Sequence, residues 1–256
     1  SAVFRGQPRR TALAIALYFG GGGIGMLISG ATIPLVLDGA ADLWPRIWVG
    51  MGIASLLTMG PVTWAVRSVS PTDAGPQAIR PDRLPWRAMS LELIAYFLFA
   101  VGYIVYLTFV VAWMRQGQAS AALIAGMWSL LGFMVMASPI LWRGVLARYA
   151  GGTPMALACT ATGVGTLLPI LVPGTVGALA SAFVFGSCFF MGPASVTAFG
   201  RHNLPEAQWG ASIALFTTIF AVGHLIGPVA AGYISDLTDD LTLGLIIAGA
   251  TLVLAG

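Results

Sequence analysis

Three observations predict that this chain is an all-α polytopic membrane protein. Hydrophobic residues make up 58% of its 256 residues. Charged residues make up only 8%, whereas soluble domains contain about 25%. Eight apolar segments reach or approach the roughly 20 residues that a helix needs to cross the hydrocarbon core of a bilayer. Lipid accepts such a chain because apolar side chains can then face outward.

The eight segments are separated by short loops, except for one long polar connection over residues 67–89. This connection contains four prolines and four arginines, so we interpret it as a linker between two domains. Two helices in residues 1–66 precede the linker, and six helices in residues 90–256 follow it. The last of them has only 16 residues, and we interpret it as truncated. The transmembrane helices are predicted at 11–37, 45–66, 90–114, 120–142, 153–172, 175–200, 210–234 and 241–256.

The distribution of arginine predicts the orientation of the chain in the membrane. All 12 basic residues are arginines, and ten of them fall in the N-terminal segment, the linker and the loops 143–152 and 201–209. The opposite side receives only Arg46 and Arg115. Since cytoplasmic loops carry the excess of basic residues, we expect both termini and the linker in the cytoplasm. Most arginines are scattered between apolar runs instead of forming a patch, which argues against a nucleic-acid partner.

Neither the cysteines nor the glycine-rich run indicates a cofactor. Cys159 and Cys188 lie in apolar runs without a neighbouring histidine or carboxylate. They fit no metal-site spacing, and we interpret them as small core residues. The glycines at 20–23 lie inside an apolar segment and lack the Gly-Lys-Ser/Thr sequence of a phosphate-binding loop. We therefore expect no metal and no cofactor.

Two titratable residues are candidates for a functional role, because ionisable groups in the hydrocarbon region usually mark a pathway. His224 lies deep in the seventh segment, and Glu92 lies near the cytoplasmic start of the third. Both are candidates for proton coupling. Two structural alternatives stay open: His224 bonds to a carbonyl that Pro228 frees, and Glu92 caps a helix N-terminus.

Further candidate residues share a helical face with Glu92 or with His224. Spacings of three and four residues place a polar and aromatic stripe on one face of the third segment, formed by Glu92, Tyr96, Phe99, Tyr103, Tyr106, Val110 and Trp113. The hydroxyls of Tyr103 and Tyr106 lie near mid-span, where an unpaired polar group is costly in lipid. We therefore expect these two residues to face the lumen, and the alternative is that the stripe packs between helices. The predicted substrate pathway, completed by one face of the seventh segment, consists of Tyr103, Tyr106, Thr217, Phe220 and His224.

An internal repeat connects the first and the seventh segment. A shift of 198 residues lays 15–43 on 213–241, and nine of the 29 aligned residues are identical. The two segments are six helices apart and have the same orientation, as expected for a parallel six-helix repeat. A complete first copy requires four more helices before Ser1, so we expect a fragment that holds eight of twelve helices.

Three stretches of the sequence resemble a known family: YFGGGGIG at 18–25, GYIVY at 102–106 and GPVAAGY at 227–233. With the six-plus-six plan and the basic linker, they make the chain similar to the major facilitator superfamily, and within it to the bacterial YbfB/YjiJ-type permeases. The resemblance implies that the eight segments are helices five to twelve of a 6+6 fold. It also implies that the third segment, the seventh helix of the family, lines a central cavity.

Two motifs of the superfamily are present in altered form. Its cytoplasmic loop motif, Gly-x-Leu-Ala-Asp-Arg-x-Gly, aligns with 144–151, where Gly144 and Gly151 are kept. Arg148 stands at the Asp position and Tyr149 at the Arg position, which puts the charge relay of the family in doubt. A motif typical of antiporters, Gly-x-x-x-Gly-Pro-x-x-Gly-Gly, fits the seventh segment with one Gly replaced by Ala. It predicts a helix bend and close packing at Gly223, Gly227, Pro228 and Gly232.

The resemblance implies a secondary active transporter, not an enzyme, that moves a small solute across the bacterial inner membrane by alternating access. Proton coupling through His224 or Glu92 is part of this hypothesis. The expected partners are the lipid bilayer and a small-molecule substrate, and we expect a monomer. The alternatives are a membrane sensor that does not transport and an intramembrane enzyme. The sequence contains no soluble output domain typical of a sensor, no Gly-x-Ser-x-Gly and no mid-span pair of acids.

Overall fold

The computed structural model describes residues 8–38, 41–68 and 84–256, and every regular element within these ranges is helical. The prediction of an all-α chain is therefore confirmed. The α-helices are α1 (Pro8–Val36), α2 (Trp44–Ser68), α3 (Trp86–Gln116), α4 (Ala121–Leu141), α5 (Arg143–Arg148), α6 (Thr153–Leu171), α7 (Thr175–Cys188), α8 (Met191–Asn203), α9 (Trp209–Thr238) and α10 (Leu241–Leu254). Two 3₁₀ turns, Ala41–Leu43 and Glu206–Gln208, precede α2 and α9.

Six helical stretches in the described part of the chain are long and apolar enough to cross a membrane. They are Trp44–Trp64, Trp86–Gln116, Ala121–Arg148, Thr153–Leu171, Thr175–Asn203 and Glu206–Thr238. Two shorter apolar helices, Gly21–Val36 and Leu241–Leu254, lie at the two ends. The 30 residues of α9 extend over about 45 Å at 1.5 Å per residue, which exceeds a hydrocarbon core of about 30 Å. These dimensions fit a multi-pass membrane protein.

The predicted helix at 175–200 is divided in the structure. α7 ends at Cys188, and α8 begins at Met191 after Phe189 and Phe190. Pro193 favours the break, because proline has no N–H to donate to the carbonyl four residues earlier and its ring clashes with that carbonyl. The carbonyl concerned belongs to Phe189. The interruption places two adjacent phenylalanines at a turn inside the span.

α3 lies in the middle of the bundle formed by α3–α10. It packs against α6, α9 and α10, while α4 packs against α7 and α6 packs against both α7 and α10. Many core residues come from α3: Met89, Leu93, Tyr96, Phe99, Tyr103, Val105, Tyr106, Val110 and Met114. The bundle therefore buries the face of α3 that carries the aromatic stripe.

Two glycines of α9 let this helix approach α3 closely. A Cβ at Gly223 would lie 2.7 Å from the Cβ of Ala100, and a Cβ at Gly227 would lie 2.7 Å from the carbonyl oxygen of Val101. Small residues at such crossings are typical of membrane helices. Further along α9, Gly232 has more space, since its Cβ would lie 3.9 Å from the ring of Phe109. α9 continues through Pro228 without interruption.

The first two helices differ in their packing. α1 packs against α4, and a Cβ at Gly132 would lie 2.5 Å from the backbone nitrogen of Leu27. The described side chains of α2, in contrast, are almost all exposed. Most of the predicted linker, residues 69–83, and the N-terminal residues 1–7 lie outside the described residues. The proposed domain boundary therefore stays a prediction.

Candidate functional site

The stripe predicted on α3 forms one largely buried face. Tyr96 is 4% exposed, Tyr103 8%, and Phe99 and Tyr106 0%. Val110 is fully buried as well. The stripe ends at Trp113, whose indole N–H donates to the hydroxyl of Thr242 on α10 at 3.0 Å. The helical spacing thus identified a face that packs against other helices along most of its length.

Tyr103 lies at the centre of a cluster of aromatic rings. Its ring centroid is 5.4 Å from that of Phe99 and 6.0 Å from that of Phe185, and both pairs are nearly parallel. On another side, Phe189 lies 5.1 Å away in an edge-to-face arrangement. His224 of α9 lies 5.4 Å away. Residues from α3, α9 and the α7–α8 turn therefore meet around one tyrosine.

Phe220 and His224 extend this cluster on α9. Their ring centroids are 4.1 Å apart, and Phe220 stacks on Tyr96 at 5.0 Å with an interplanar angle of 17°. Both α9 residues are half-buried. The cluster therefore has a buried side toward α3 and an accessible side, to which the rings of Phe220 and His224 contribute.

The backbone of α9 selects the tautomer of His224. Nδ1 of its imidazole lies 3.1 Å from the carbonyl oxygen of Phe220, one turn earlier. Because a carbonyl oxygen only accepts, Nδ1 carries the proton and Nε2 remains available as an acceptor in the neutral ring. The alternative suggested by the sequence was a carbonyl that Pro228 frees. Pro228 frees the carbonyl of His224 itself, and the observed partner is the carbonyl of Phe220.

Tyr106 lies one layer behind Tyr103, in the interior of the bundle. Its hydroxyl is 2.6 Å from Oγ of Ser181, which in turn donates to the carbonyl oxygen of Gly165 at 2.6 Å. The Ser181 proton is thereby used, so the Tyr106 hydroxyl donates to Ser181. This chain of hydrogen bonds links α3 to α7 and α6. Tyr106 does not share the accessible side of the cluster.

Thr217 lies on the exposed surface of α9, one turn before Phe220. Its hydroxyl donates to the carbonyl oxygen of Ile213 at 2.8 Å. Such a bond back to the preceding turn satisfies the hydroxyl within the helix. The hydroxyl oxygen can still accept a hydrogen bond from a molecule that contacts α9.

Glu92 lies in a separate cavity near the N-terminal end of α3. The residue is 6% exposed, and its Oε1 has no hydrogen-bond partner in the described part of the chain. Its Oε2 points toward Gly152, which precedes α6, at 3.4 Å from the position of a Cβ there. A cavity of about 340 Å³ adjoins it, with Leu91, Ile94, Ala95, Leu98, Met155, Ala156, Leu254, Ala255 and Gly256 as further lining residues.

Glu92 and the aromatic cluster lie at different depths along α3. Eleven residues separate Glu92 from Tyr103, which corresponds to roughly 16 Å along the helix axis. Glu92 lies beside the N-terminus of α6, where a negative charge is favoured by the helix dipole. The helix whose N-terminus it approaches is thus α6, not its own helix.

A family model matches almost the whole chain. The model is described as "Uncharacterised MFS-type transporter YbfB", and it matches residues 2–256. The chain belongs to this family. No curated protein and no solved structure matches the chain. The recognition of a major facilitator protein is confirmed, and the helices described above represent a part of the 6+6 fold.

In this major facilitator transporter, the altered loop motif forms a short helix and a cation–π contact. Gly144 and Arg148 belong to α5, and Gly151 lies in the turn before α6. The guanidinium of Arg148 lies 5.7 Å from the ring centroid of Tyr149. The two substituted motif positions therefore contact each other, and both side chains are exposed.

The sequence did not identify Phe185 and Phe189 as parts of the aromatic cluster of this MFS-type transporter. Phe185 stacks on Tyr106 at 4.2 Å and on Tyr103 at 6.0 Å. The available signal was the proline at 193, four residues after Phe189, because it predicts a helix break at that point. From periodicity alone, residues 175–200 are one straight helix. The positions of the Phe185 and Phe189 rings relative to Tyr103 cannot be predicted from such a helix.

Proposed function

We propose that this transporter moves a small solute across the bacterial inner membrane by alternating access, along the face formed by Tyr103, Phe220 and His224. The observation that carries the proposal is the accessible side of the aromatic cluster, where half-buried rings and an imidazole meet in the membrane-spanning region. Binding near the midplane between two bundles is the plan of many secondary transporters. Residues 1–66 are then the end of one bundle, residues 67–89 the linker, and residues 90–256 the second bundle.

Within this proposal, the remaining pathway residues have distinct roles. Thr217 offers a hydroxyl oxygen on the exposed side of α9. Tyr106 supports Tyr103 from behind through its bond to Ser181. Gly223 and Gly227 keep α9 close to α3 while the bundles move, and Pro228 and Gly232 allow α9 to bend.

We further propose that His224 couples transport to a proton. An imidazole has an unperturbed pKa of about 6.5 and changes charge near physiological pH. Nδ1 is held by the carbonyl of Phe220, so protonation occurs at Nε2. That nitrogen then changes from acceptor to donor, so a bound solute faces a hydrogen-bond donor instead of an acceptor.

Glu92 is the second candidate for proton coupling. A buried carboxylate without a partner is costly unless it is neutralised, and Oε1 of Glu92 has no partner among the described residues. In the proposed orientation, Glu92 lies near the cytoplasmic surface. It would therefore exchange its proton with the cytoplasm, while His224 acts deeper in the membrane.

Accumulation of a solute in proteoliposomes tests the transport function. The full-length protein is reconstituted and incubated with a metabolite extract under an imposed proton gradient, and mass spectrometry compares the contents with those of protein-free liposomes. We expect at least one small solute to be enriched, and an uncoupler to abolish the enrichment. Absence of any enrichment with the gradient in either direction would contradict transport and favour the sensor alternative.

A further inference from the structure

We propose that the transported solute is a planar aromatic compound that carries a hydroxyl or N–H hydrogen-bond donor. This inference rests on the proposed function, because it names the substrate class for the face of Tyr103, Phe220 and His224. Two properties of that face support it. The first is the arrangement of its rings, and the second is the kind of polar group that the face leaves available.

Aromatic rings form most of this face. The ring centroid of Tyr103 lies 5.1 Å from that of Phe189, 6.0 Å from that of Phe220 and 5.4 Å from that of His224. Aromatic pairs prefer offset-stacked or edge-to-face contacts at centroid separations of about 4.5–7 Å. Because Phe189, Phe220 and His224 are only half-buried, a flat ring can add one more member to the cluster.

The rings behind this face are held in place by the bundle. Phe99 and Phe185 are 0% exposed, and they stack on Tyr103 with interplanar angles of 17° and 7°. Tyr106 stacks on Phe185 and is anchored by Ser181. A binding surface that is already ordered loses little conformational entropy when a ligand binds. The structure thus provides a preformed aromatic wall.

The polar groups on this face favour an uncharged solute with a donor. Nδ1 of His224 donates to the carbonyl of Phe220, so Nε2 of the neutral ring accepts. Tyr103 adds a hydroxyl that can donate or accept. The ring cluster itself contains no carboxylate or guanidinium in the described part of the chain, and the acid that precedes it on α3, Glu92, adjoins a different cavity. While His224 is neutral, an ion pair therefore does not select the solute here.

A set of four related probes tests this inference on the unmodified full-length protein in nanodiscs. The probes are 2-naphthol, 2-methoxynaphthalene without the donor, decahydro-2-naphthol without the aromatic ring, and a naphthyl trimethylammonium ion. Equilibrium dialysis measures binding, and empty nanodiscs correct for partition into lipid. We expect 2-naphthol to bind about fivefold more tightly than the saturated analogue and about threefold more tightly than the methoxy analogue. Equal binding of either analogue, or a preference for the ammonium ion, would overturn the assignment.

Three variants locate the binding face. Phe220→Leu removes a ring and should lower the affinity for 2-naphthol about fivefold. Phe183→Leu is the matched control, because Phe183 is 53% exposed on α7 and lies outside the cluster, so binding should not change. His224→Phe keeps a ring but removes the Nε2 acceptor, so the difference in affinity between 2-naphthol and 2-methoxynaphthalene should become smaller. Unchanged discrimination in a folded His224→Phe protein would refute the role of Nε2.

Binding and transport fail in distinguishable ways. Ring-selective binding without transport would leave the substrate class intact and contradict the proposed function. Transport of a non-aromatic solute that 2-naphthol does not inhibit would leave the transport function intact and overturn the substrate class.

Discussion

At the scale of residues, Tyr103 and Tyr106 show what helical spacing can and cannot predict. Three residues on a helix differ by about 60° around its axis, so the two side chains share a broad face but not the same neighbours. The spacing correctly groups both with Tyr96 and Phe99. It cannot decide which edge of the stripe packs inward, because that depends on where α6 and α7 lie. The hydroxyl of Tyr106 forms a hydrogen bond with Ser181 of α7, whereas the ring of Tyr103 contacts His224 of α9.

The proton role of His224 is testable at this scale. His224→Gln in the full-length protein should preserve folding and substrate binding but flatten the pH dependence of transport, because glutamine keeps a polar group and does not titrate near pH 7. The rate of uptake is measured against pH in proteoliposomes. If the rate of a stable His224→Gln protein depends on pH as the unmodified protein does, His224 is not the coupling residue.

A structural role of His224 has a different signature. In that case His224→Gln keeps the pH dependence, and His224→Leu lowers the melting temperature because the hydrogen bond from Nδ1 to the carbonyl oxygen of Phe220 is lost. The two substitutions together separate a proton-carrying imidazole from one that only holds the helix.

At the scale of elements, the apolar segments predict the helices well, because lipid requires each spanning segment to satisfy its own backbone. Seven of the eight predicted segments form single helices within a few residues of the expected bounds, and the segment 175–200 forms α7 and α8. The break between α7 and α8 was not predicted, since the apolar run continues through Phe189 and Phe190. Only the position of Pro193 indicates it. Hydropathy thus predicts where a span lies, but not where it bends.

The close crossing of α3 and α9 predicts that alanine substitutions at two glycines differ in their effect on stability. Gly227→Ala should destabilise the protein by about 1–3 kcal/mol, because the new methyl group would lie 2.7 Å from the backbone carbonyl oxygen of Val101. Gly126→Ala on α4 is the control, since nothing lies within 4 Å of a Cβ there. Thermal unfolding in detergent measures both. Equal melting temperatures for the two variants would show that α3 and α9 do not cross at this distance.

The start of α10 predicts an effect of pH on stability. Oδ1 of Asp240 accepts from the backbone N–H of Thr242 at 2.7 Å, and hydrogen bonds from Thr242 hold the pKa of Asp240 below its ordinary value. A lowered pKa in the folded state stabilises the protein above a pH of about 4 and loses this effect as the pH falls through the folded-state pKa.

Two substitutions separate the cap from the charge. Asp240→Ala should lower the melting temperature at neutral pH, because alanine cannot cap a helix. Asp240→Asn should keep the cap but lose the decline in stability on acidification that is specific to Asp240. A neutral-pH melting temperature unaffected by Asp240→Ala would contradict a contribution of this cap.

At the scale of the whole molecule, composition and the eight apolar segments predict a multi-pass membrane protein, and the family match establishes it as a transporter. Composition cannot place the helices around one another, because lipid-facing and bundle-facing apolar side chains look alike in sequence. The packing of α1 against α4 and the meeting of α3, α7 and α9 around Tyr103 therefore required the structure.

The orientation is tested by labelling intact cells. A cysteine introduced at Ala74, in the linker, should not react with an impermeant maleimide added from outside, because ten of the twelve arginines predict a cytoplasmic linker. It should react after the cells are permeabilised. Labelling from outside in intact cells would reverse the proposed topology.

Accessibility of Thr217 from both sides of the membrane tests the central claim most directly. Thr217→Cys lies on the accessible side of the proposed pathway, and the natural Cys159 and Cys188 are buried. In proteoliposomes of defined orientation, a hydrophilic thiol reagent should label Thr217→Cys when added to either side, because alternating access exposes the face in turn. Val164→Cys, at a position 44% exposed on α6 and expected to face lipid, should react from neither side. Labelling of Thr217→Cys from one side only, or from neither, would contradict a solute pathway along α3 and α9.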